Sequence, residues 1–476
     1  MATAPTKPLV AIIGATGTGK SDLAVELARR YNGEIINGDA MQLYQGLPII
    51  TNKITQEEMK GVSHHLLGCI GLEEETWTVG KFVGKALRVI EEIRSRGKLP
   101  ILVGGTHYYT QSLLFHDALS DEPALEFTGH DQKYPVLDES TEVILERLKK
   151  ADPLMAARWH PNDRRKIQRS LEIYLRTGKP ASQVYDQQRL KQEVKHDGVN
   201  EDFTSQDGDS LGLRFPTLLL WVHASRDILH PRLDARIAKM LSKGLLSEVE
   251  TLTNFRASHE ASTGSEIDQS RGIWVSIGYK EFLSYQAELS DSTSLESELE
   301  CSRIAAVEKT QAATRQYANR QVRWIRIKLL NALISAGQKN NMFLLDGSHL
   351  TNWEHQVLQP AHAITESFLT GHPLPDPTEQ SEAAREMLTP KRNYDLGQRP
   401  DLWQQMVCET CGTVAVTQND WSFHIKSRGH RRAVGVKKKK EHVARSQNKE
   451  LRKLQVDVVD ILEAYQNGLA MEESVE

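Results

Sequence analysis

Cysteine is scarce: four in 476 residues, too few to staple a secreted fold of this length. No segment approaches the roughly 18 to 20 uninterrupted apolar residues that a membrane helix needs. The opening stretch, Met1 to Pro8, has no apolar signal-peptide core, so a cytoplasmic location is expected, with nuclear and mitochondrial pools left open. Neither sign of charge dominates. A net charge of −4 argues against indiscriminate nucleic-acid binding. What remains, with 39% hydrophobic residues, is a globular chain long enough for two to four domains.

The charge is unevenly distributed. Acid gathers at Asp197 to Asp209 and Glu281 to Glu300, and base at Arg158 to Arg169, Arg303 to Lys328 and Lys426 to Lys453. Two of the basic runs contain aromatics, Trp159 in one and Tyr317 with Trp324 in the other. Basic charge interleaved with aromatic rings suits a polyanionic partner.

The strongest single motif is Gly14-Ala15-Thr16-Gly17-Thr18-Gly19-Lys20-Ser21, the phosphate cradle G-x-x-x-x-G-K-[ST]. It follows an apolar strand-like run, Leu9 to Ile13, and opens a helical pattern at Asp22. Its glycines let backbone N–H groups converge on phosphate oxygens, Lys20 neutralises charge, and the Ser21 hydroxyl can ligate Mg²⁺. The chain therefore handles a di- or triphosphate. The loop alone leaves open whether that phosphate is donor, fuel or leaving group.

Cys408, Cys411, His424 and His430 follow the spacing C-x2-C-x12-H-x5-H. That pattern suits a tetrahedral zinc site with two thiolates from a turn and two imidazoles from a helix. Cys69 and Cys301 are isolated thiols.

Strand-like runs at Leu9–Ile13, Glu34–Asn37, Leu99–Val103 and Thr217–Val222 alternate with helical patterns at Asp22–Tyr31, Gly80–Arg96 and Leu229–Leu252. The alternation predicts a parallel α/β sheet, with ligands at the carboxyl ends of its strands. Asp39 and Gly104 to Thr106 would emerge there, beside the phosphate loop. A helical stretch from Thr141 to about Leu190 interrupts the sheet. The polar segments 196–212 and 257–271 read as linkers or disordered insertions. A basic helix, about Glu298 to Leu330, follows. The expected division is a catalytic core over 1–125, a helical insertion over 126–214 and a return to the core over 215–335. Beyond it come a linker over 336–400, a finger with a basic extension over 401–453, and a tail over 454–476.

The stretches GATGTGKS at Gly14, IINGDAMQLY at Ile35, ILVGGTHYY at Ile101, WHPNDRRKIQRSLEIY at Trp159, RLDARIAKML at Arg232, IWVSIGYKEF at Ile273 and TRQYANRQVRWIR at Thr314 occur in family order. Together they make the chain similar to the tRNA dimethylallyltransferases over roughly residues 8 to 330, and the finger resembles the eukaryotic, fungal-like form.

That resemblance implies a P-loop NTPase-like core with a helical tRNA-binding insertion. It also implies transfer of a dimethylallyl group from dimethylallyl diphosphate to the exocyclic amine of the adenine 3′-adjacent to the anticodon. Diphosphate is the leaving group, held by Gly14 and Thr16 to Ser21 with Mg²⁺. Asp39 is the candidate general base, Arg236 projects towards the diphosphate, and Thr106 contacts the adenine or the diphosphate. Ala40, Met41 and Gln42, then Gln168, Arg169 and Ser170, and the basic residues Arg315, Arg320 and Arg323 are the candidate contacts to the tRNA anticodon stem-loop. One cleft needs no partner subunit, so a monomer is expected. A nucleotide-dependent kinase and an inactive tRNA-binding protein are the competing readings.

Overall fold

The computed structural model describes residues 3–74, 76–115, 134–186, 212–290, 295–390, 403–440, 443 and 445–448. The chain forms two compact units. One comprises Met1–His130 with Gly198–Asn393, the other Asp131–Asp197 with Tyr394–Glu476.

The first unit is built on six strands: β1 (Leu9–Gly14), β2 (Gly33–Asn37), β3 (His64–His65), β4 (Leu99–Val103), β5 (Thr217–His223) and β6 (Met342–Asp346). Their spatial order is β3-β2-β4-β1-β5-β6, and every pairing is parallel. The sequence reason lies in runs such as LVAII, which are apolar at every position because both faces are covered. Leu9, Ala11 and Ile13 enter one core with Leu219, Trp221 and Leu344. Val10 and Ile12 enter the other with Leu218, Leu220 and Phe343. The alternation follows from the period-2 geometry of a strand.

β1 lies between β4 and β5, at the point where the strand order reverses, so the ends of β2, β4, β1, β5 and β6 form one ligand-facing edge. The long helix Glu296–Trp324 reaches that edge. Its buried positions Ala306, Thr310, Thr314, Ala318 and Gln321 recur every three to four residues and make one face.

Several boundaries differ from the sequence reading. The helix expected over Leu229–Leu252 is two, Arg226–Ser242 and Leu245–Thr263, broken at Gly244, whose φ of 103° suits glycine. The second helix runs into the segment expected to be unstructured from 257 and stops at Gly264, in the left-handed region. The stretch 336–400, expected as a linker, instead supplies β6 and the helix Gln359–Thr370, whose Ala361, Ile364 and Phe368 join the second core. The basic helix ends at Trp324 and continues through a wide turn, Ile325–Leu329, into Leu330–Ser335. The segment 197–209 and the tail 454–476 lie outside the described residues.

The second unit contains the helices Thr141–Ala151, Pro153–Arg158 and Arg164–Thr177, three where one stretch was expected. Asp152 starts the second by accepting from Met155 N at 3.1 Å, and Asp163 starts the third by accepting from Lys166 N at 3.3 Å. The hairpin β7 (Met406–Val407) and β8 (Val414–Ala415) and the helix Gln418–Lys426 form the finger. It belongs to the same unit as these helices. Gln405 donates through Nε2 to Ala156 O at 3.1 Å and to Trp159 O, and the Trp403 and Trp159 rings meet edge-on at 5.6 Å.

Candidate active site and metal cluster

The phosphate loop joins β1 to the helix Lys20–Arg30. Gly14, Gly17 and Gly19 all have positive φ, and a Cβ on Gly14 would stand 2.3 Å from Val222 O. No other residue fits that strand crossing. Thr18 is buried and its hydroxyl donates to Ala15 O at 2.9 Å, closing the loop on itself. Lys20 Nζ donates to the same carbonyl at 2.7 Å. Burial lowers the Lys20 pKa to about 8; Asp39 opposes that fall and Arg236 adds to it. A cation held this close to losing its proton is one that gains from an anionic ligand.

Thr16 is already engaged by the protein. Its N–H donates to Gln321 Oε1 at 2.8 Å and its hydroxyl accepts from Arg236 Nη1 at 2.9 Å. Thr16, expected among the diphosphate ligands, is thus tied to Gln321 and Arg236 and anchors the loop, and Gly17 to Ser21 form the rest of the cradle. Ser21 is exposed, and its hydroxyl takes part in no hydrogen bond among the described residues, which leaves it available to a metal ion.

Asp39 follows β2. Asn37 holds its backbone, accepting Asp39 N at 3.0 Å and donating to Asp39 O at 3.0 Å, while Asp39 Oδ1 accepts from Met41 N at 3.0 Å. Oδ2 lies toward Gly105, 3.2 Å from where a Cβ would sit on that glycine. Burial raises the Asp39 pKa, partly offset by hydrogen bonds from the Met41 and Gln42 backbone and by the charges of Lys20 and Arg236. The half-buried carboxylate is thus more basic than an ordinary aspartate, while the neighbouring cations favour its ionised form.

Gly104 and Gly105 follow β4. A Cβ on Gly104 would stand 2.4 Å from the Gly38 backbone, so the two loops meet main chain to main chain. The Thr106 hydroxyl accepts from Ala40 N at 3.0 Å, which locks the turn that carries Asp39. Met41 Sδ accepts from Ser276 Oγ at 3.2 Å, and Gln42 Nε2 donates to Asn52 O at 2.9 Å. Ala40, Met41 and Gln42 thereby brace this turn as well as flank it.

Four groups at this edge were given no place in the site by the sequence, although Tyr317 stood out there as an aromatic within a basic run. Gln321 bridges Thr16 N and Gly105 O, its Nε2 donating at 2.8 Å. Tyr317, one turn earlier on the same face, has its pKa pushed up by burial and then by Asp39, and hydrogen-bonds Thr106. His107 is buried with neither ring nitrogen partnered, and burial with the nearby Lys20 charge lowers its pKa to about 3, so it is neutral. Trp353 covers the outer glycine of the phosphate loop. Gln321 and Tyr317 sit inside a stretch rich in arginine, and the basic charge around them masked their helical spacing.

The proposed RNA contacts divide. Arg320 and Arg323 are exposed on the long helix, whereas Arg315 Nη1 donates to Asp234 Oδ1 at 2.5 Å. In the second unit, Arg169 pairs with Glu172 at 3.0 Å and Gln168 Nε2 donates to Leu137 O at 3.2 Å. Ser170 does not fit its expected role. It is 1% exposed and accepts the Trp159 indole N–H at 2.9 Å, so it holds that ring and offers nothing to solvent.

The ligand atoms of Cys408, Cys411, His424 and His430 lie within 4.8 Å of one another. The sulfur–nitrogen separations are 3.4 Å for Cys411 to His424 and 3.5 Å for Cys408 to His430. One ion with metal–sulfur bonds of about 2.3 Å and metal–nitrogen bonds of about 2.0 Å at a tetrahedral angle spans such gaps. The histidines occupy two helical segments instead of one. Ser427 breaks the first, and its hydroxyl caps the second by accepting His430 N at 3.0 Å.

Residues 42–328 match the IPP transferase family. The tRNA dimethylallyltransferase of Schizosaccharomyces pombe is 37% identical over 458 residues, covering 92% of this chain and 97% of that protein. The human tRNA dimethylallyltransferase is 35% identical over 435 residues, covering 89% and 85% respectively. A crystal structure of a eukaryotic dimethylallyltransferase acting on tRNA superposes with a TM-score of 0.72 at 31% identity, covering 93% of this chain and 100% of that one. With a phosphate loop beside a half-buried carboxylate and an alignment this full, the chain belongs to the tRNA dimethylallyltransferase family of IPP transferases.

Proposed function

We propose that this chain transfers a dimethylallyl group from dimethylallyl diphosphate to the exocyclic amine of the adenine 3′-adjacent to a tRNA anticodon, releasing diphosphate. The observation that carries the reading is the convergence of Lys20, Arg236 and Asp39 at one strand edge, with Arg236 bonded to the phosphate loop at Thr16 and Asp39 feeling the charge of both cations. Two cations suit a departing diphosphate and the carboxylate suits a proton.

The cradle from Gly17 to Ser21 holds the diphosphate, Lys20 neutralises it, and Arg236 supplies donors from the side. Mg²⁺, with Ser21 as its protein ligand, would neutralise the remaining charge. Charge stabilisation on the leaving group favours C–O cleavage at the allylic carbon. The attacking amine is poor because its lone pair is delocalised into the purine ring. Asp39, held by Asn37 and Met41, accepts its proton as the new C–N bond forms, assistance worth about 10² to 10⁴-fold. Thr106 and Tyr317 fix the turn around that carboxylate.

An adenine stacked in the anticodon loop is out of reach and must be everted to enter the cleft. Splayed RNA bases are read by stacking, and phosphates by arginine and lysine, the role proposed for Arg320, Arg323 and Arg169, with Gln168 as a neutral polar contact next to Arg169. The cysteine–histidine cluster is proposed to hold one structural Zn²⁺, which elemental analysis of the purified protein tests. We further propose a monomer, tested by sedimentation, in the cytoplasm with nuclear and mitochondrial pools, tested by imaging the tagged chain.

The experiment is incubation with an anticodon stem-loop and dimethylallyl diphosphate labelled in the prenyl group. Label on the adenine without added ATP supports the reading. Stem-loop binding with no label transferred would make the chain an RNA-binding protein instead.

A further inference from the structure

Trp353 lies in the stretch that carried no functional signal, seven residues beyond the end of β6, just before the helical segment Glu354–Thr370. Its indole covers the phosphate loop. A Cβ on Gly19 would stand 2.4 Å from Trp353 Cη2, and a Cβ on Gly347 2.8 Å from Cζ3. Both glycines are thus in direct contact with the ring. The loop bearing the tryptophan is firmly tied. Gly347 N donates to His223 O at 2.7 Å, and Ser225 N donates to Ser348 Oγ at 2.8 Å. Arg232 donates to Gly347 O at 3.0 Å and to Ser348 O at 2.5 Å.

Strand order gives the placement its meaning. Asp39 follows β2 and Gly104–Thr106 follow β4, on one side of the phosphate loop. Gly347 to Trp353 follow β6, beyond β5 on the other side. A prenyl diphosphate carries a substituent at one end only, and that end must point to the Asp39 side for reaction. Its distal phosphate is bare. A nucleoside polyphosphate reacting at the same edge would present its terminal phosphate there and would send its nucleoside out on the β5–β6 side, where the Trp353 ring lies over Gly19.

We infer that Trp353 is a specificity-determining residue that closes the nucleoside side of the cradle, so that a phosphate loop of nucleotide-enzyme type accepts a one-ended prenyl diphosphate and rejects nucleotides. This rests on the proposed binding of diphosphate at Gly17 to Ser21, and its test needs no prenyl transfer.

The test is calorimetric titration, in Mg²⁺, of the full-length wild type, Trp353→Ala and Trp353→Leu with inorganic diphosphate and with GDP. The leucine variant keeps apolar packing if the alanine variant does not fold. GDP is chosen because its base lacks the 6-amine that Asp39 would engage. The expected result is that the wild type binds diphosphate far better than GDP, and that the preference falls by about tenfold or more in the variants with diphosphate affinity preserved. A wild type that binds GDP as well as diphosphate, or an unchanged preference in the variants, overturns the inference. Loss of diphosphate binding in both variants also overturns it, since Trp353 would then merely brace the loop. If label transfer to RNA fails while these titrations succeed, the transfer reading falls and the selectivity of the cradle stands.

Discussion

Arg236 and Thr16 are joined by a hydrogen bond from Nη1 to Oγ1 of 2.9 Å, which ties the helix Arg226–Ser242 to the phosphate loop. The arginine is only partly used by it. Its Nε is buried without a partner, and burial lowers its pKa against the pull of Asp39. A planar guanidinium with donors in reserve suits an incoming diphosphate better than a lysine does. Arg236→Lys is expected to lower kcat/KM for dimethylallyl diphosphate by about 10 to 100-fold while leaving stem-loop affinity unchanged. Steady-state kinetics with binding measured in parallel checks both halves.

Asp39→Asn keeps the size and the contact with Met41 N but removes the proton acceptor. The expected fall in kcat is about a hundredfold or more, with tRNA binding largely intact. Single-turnover rates on preformed complexes isolate the step. A fully active asparagine variant refutes the role.

The pH dependence of kcat/KM has two limbs with opposite causes. Burial raises the Asp39 pKa, so as pH falls the carboxylate is protonated, and activity lost, at a higher pH than for an ordinary aspartate. Burial lowers the Lys20 pKa to about 8, so above that pH the free enzyme loses the cation that receives diphosphate. A bell is expected, and Lys20→Arg should move its alkaline limb out of range, because arginine stays charged.

Stability in acid is set at the opposite edge of the sheet. Glu34 is 4% exposed near the start of β2 and accepts from Arg96 at 2.6 Å and Lys98 at 2.8 Å, with His65 at 2.6 Å. Burial pushes its pKa up, but these three partners outweigh burial and hold it at about 2, below the ordinary 4.5. A depressed carboxylate contributes stability that is present above the ordinary value and lost as pH falls towards the folded one. Glu34→Gln is expected to cost about 1 to 3 kcal/mol near neutrality and to flatten the loss of stability between pH 4.5 and 2. Urea melts across that range check it.

The phosphate loop, the cysteine–histidine spacing and the apolar strands could be read from the sequence because each has a local signature: glycines at fixed offsets, paired ligands, unbroken apolar runs. Asp39 was legible because strand order alone places the ends of β2 and β1 at one edge. Gln321 and Trp353 were not, since their partners, Thr16 and Gly19, lie more than three hundred residues away and no spacing encodes such contacts. Ser170 misled for the opposite reason. It sits in a basic stretch that resembles an RNA-reading one, but the helical period turns it inward, under Trp159.

The most direct measurement is a crystal structure of the chain with an anticodon stem-loop and a non-reactive thio analogue of dimethylallyl diphosphate. The account predicts the diphosphate on Gly17 to Ser21 and an Asp39 carboxylate oxygen within about 2.6 to 3.2 Å of the exocyclic nitrogen of the everted adenine. An Asp39 side chain bound to a metal ion and remote from the base, or an adenine still stacked in its loop, contradicts it.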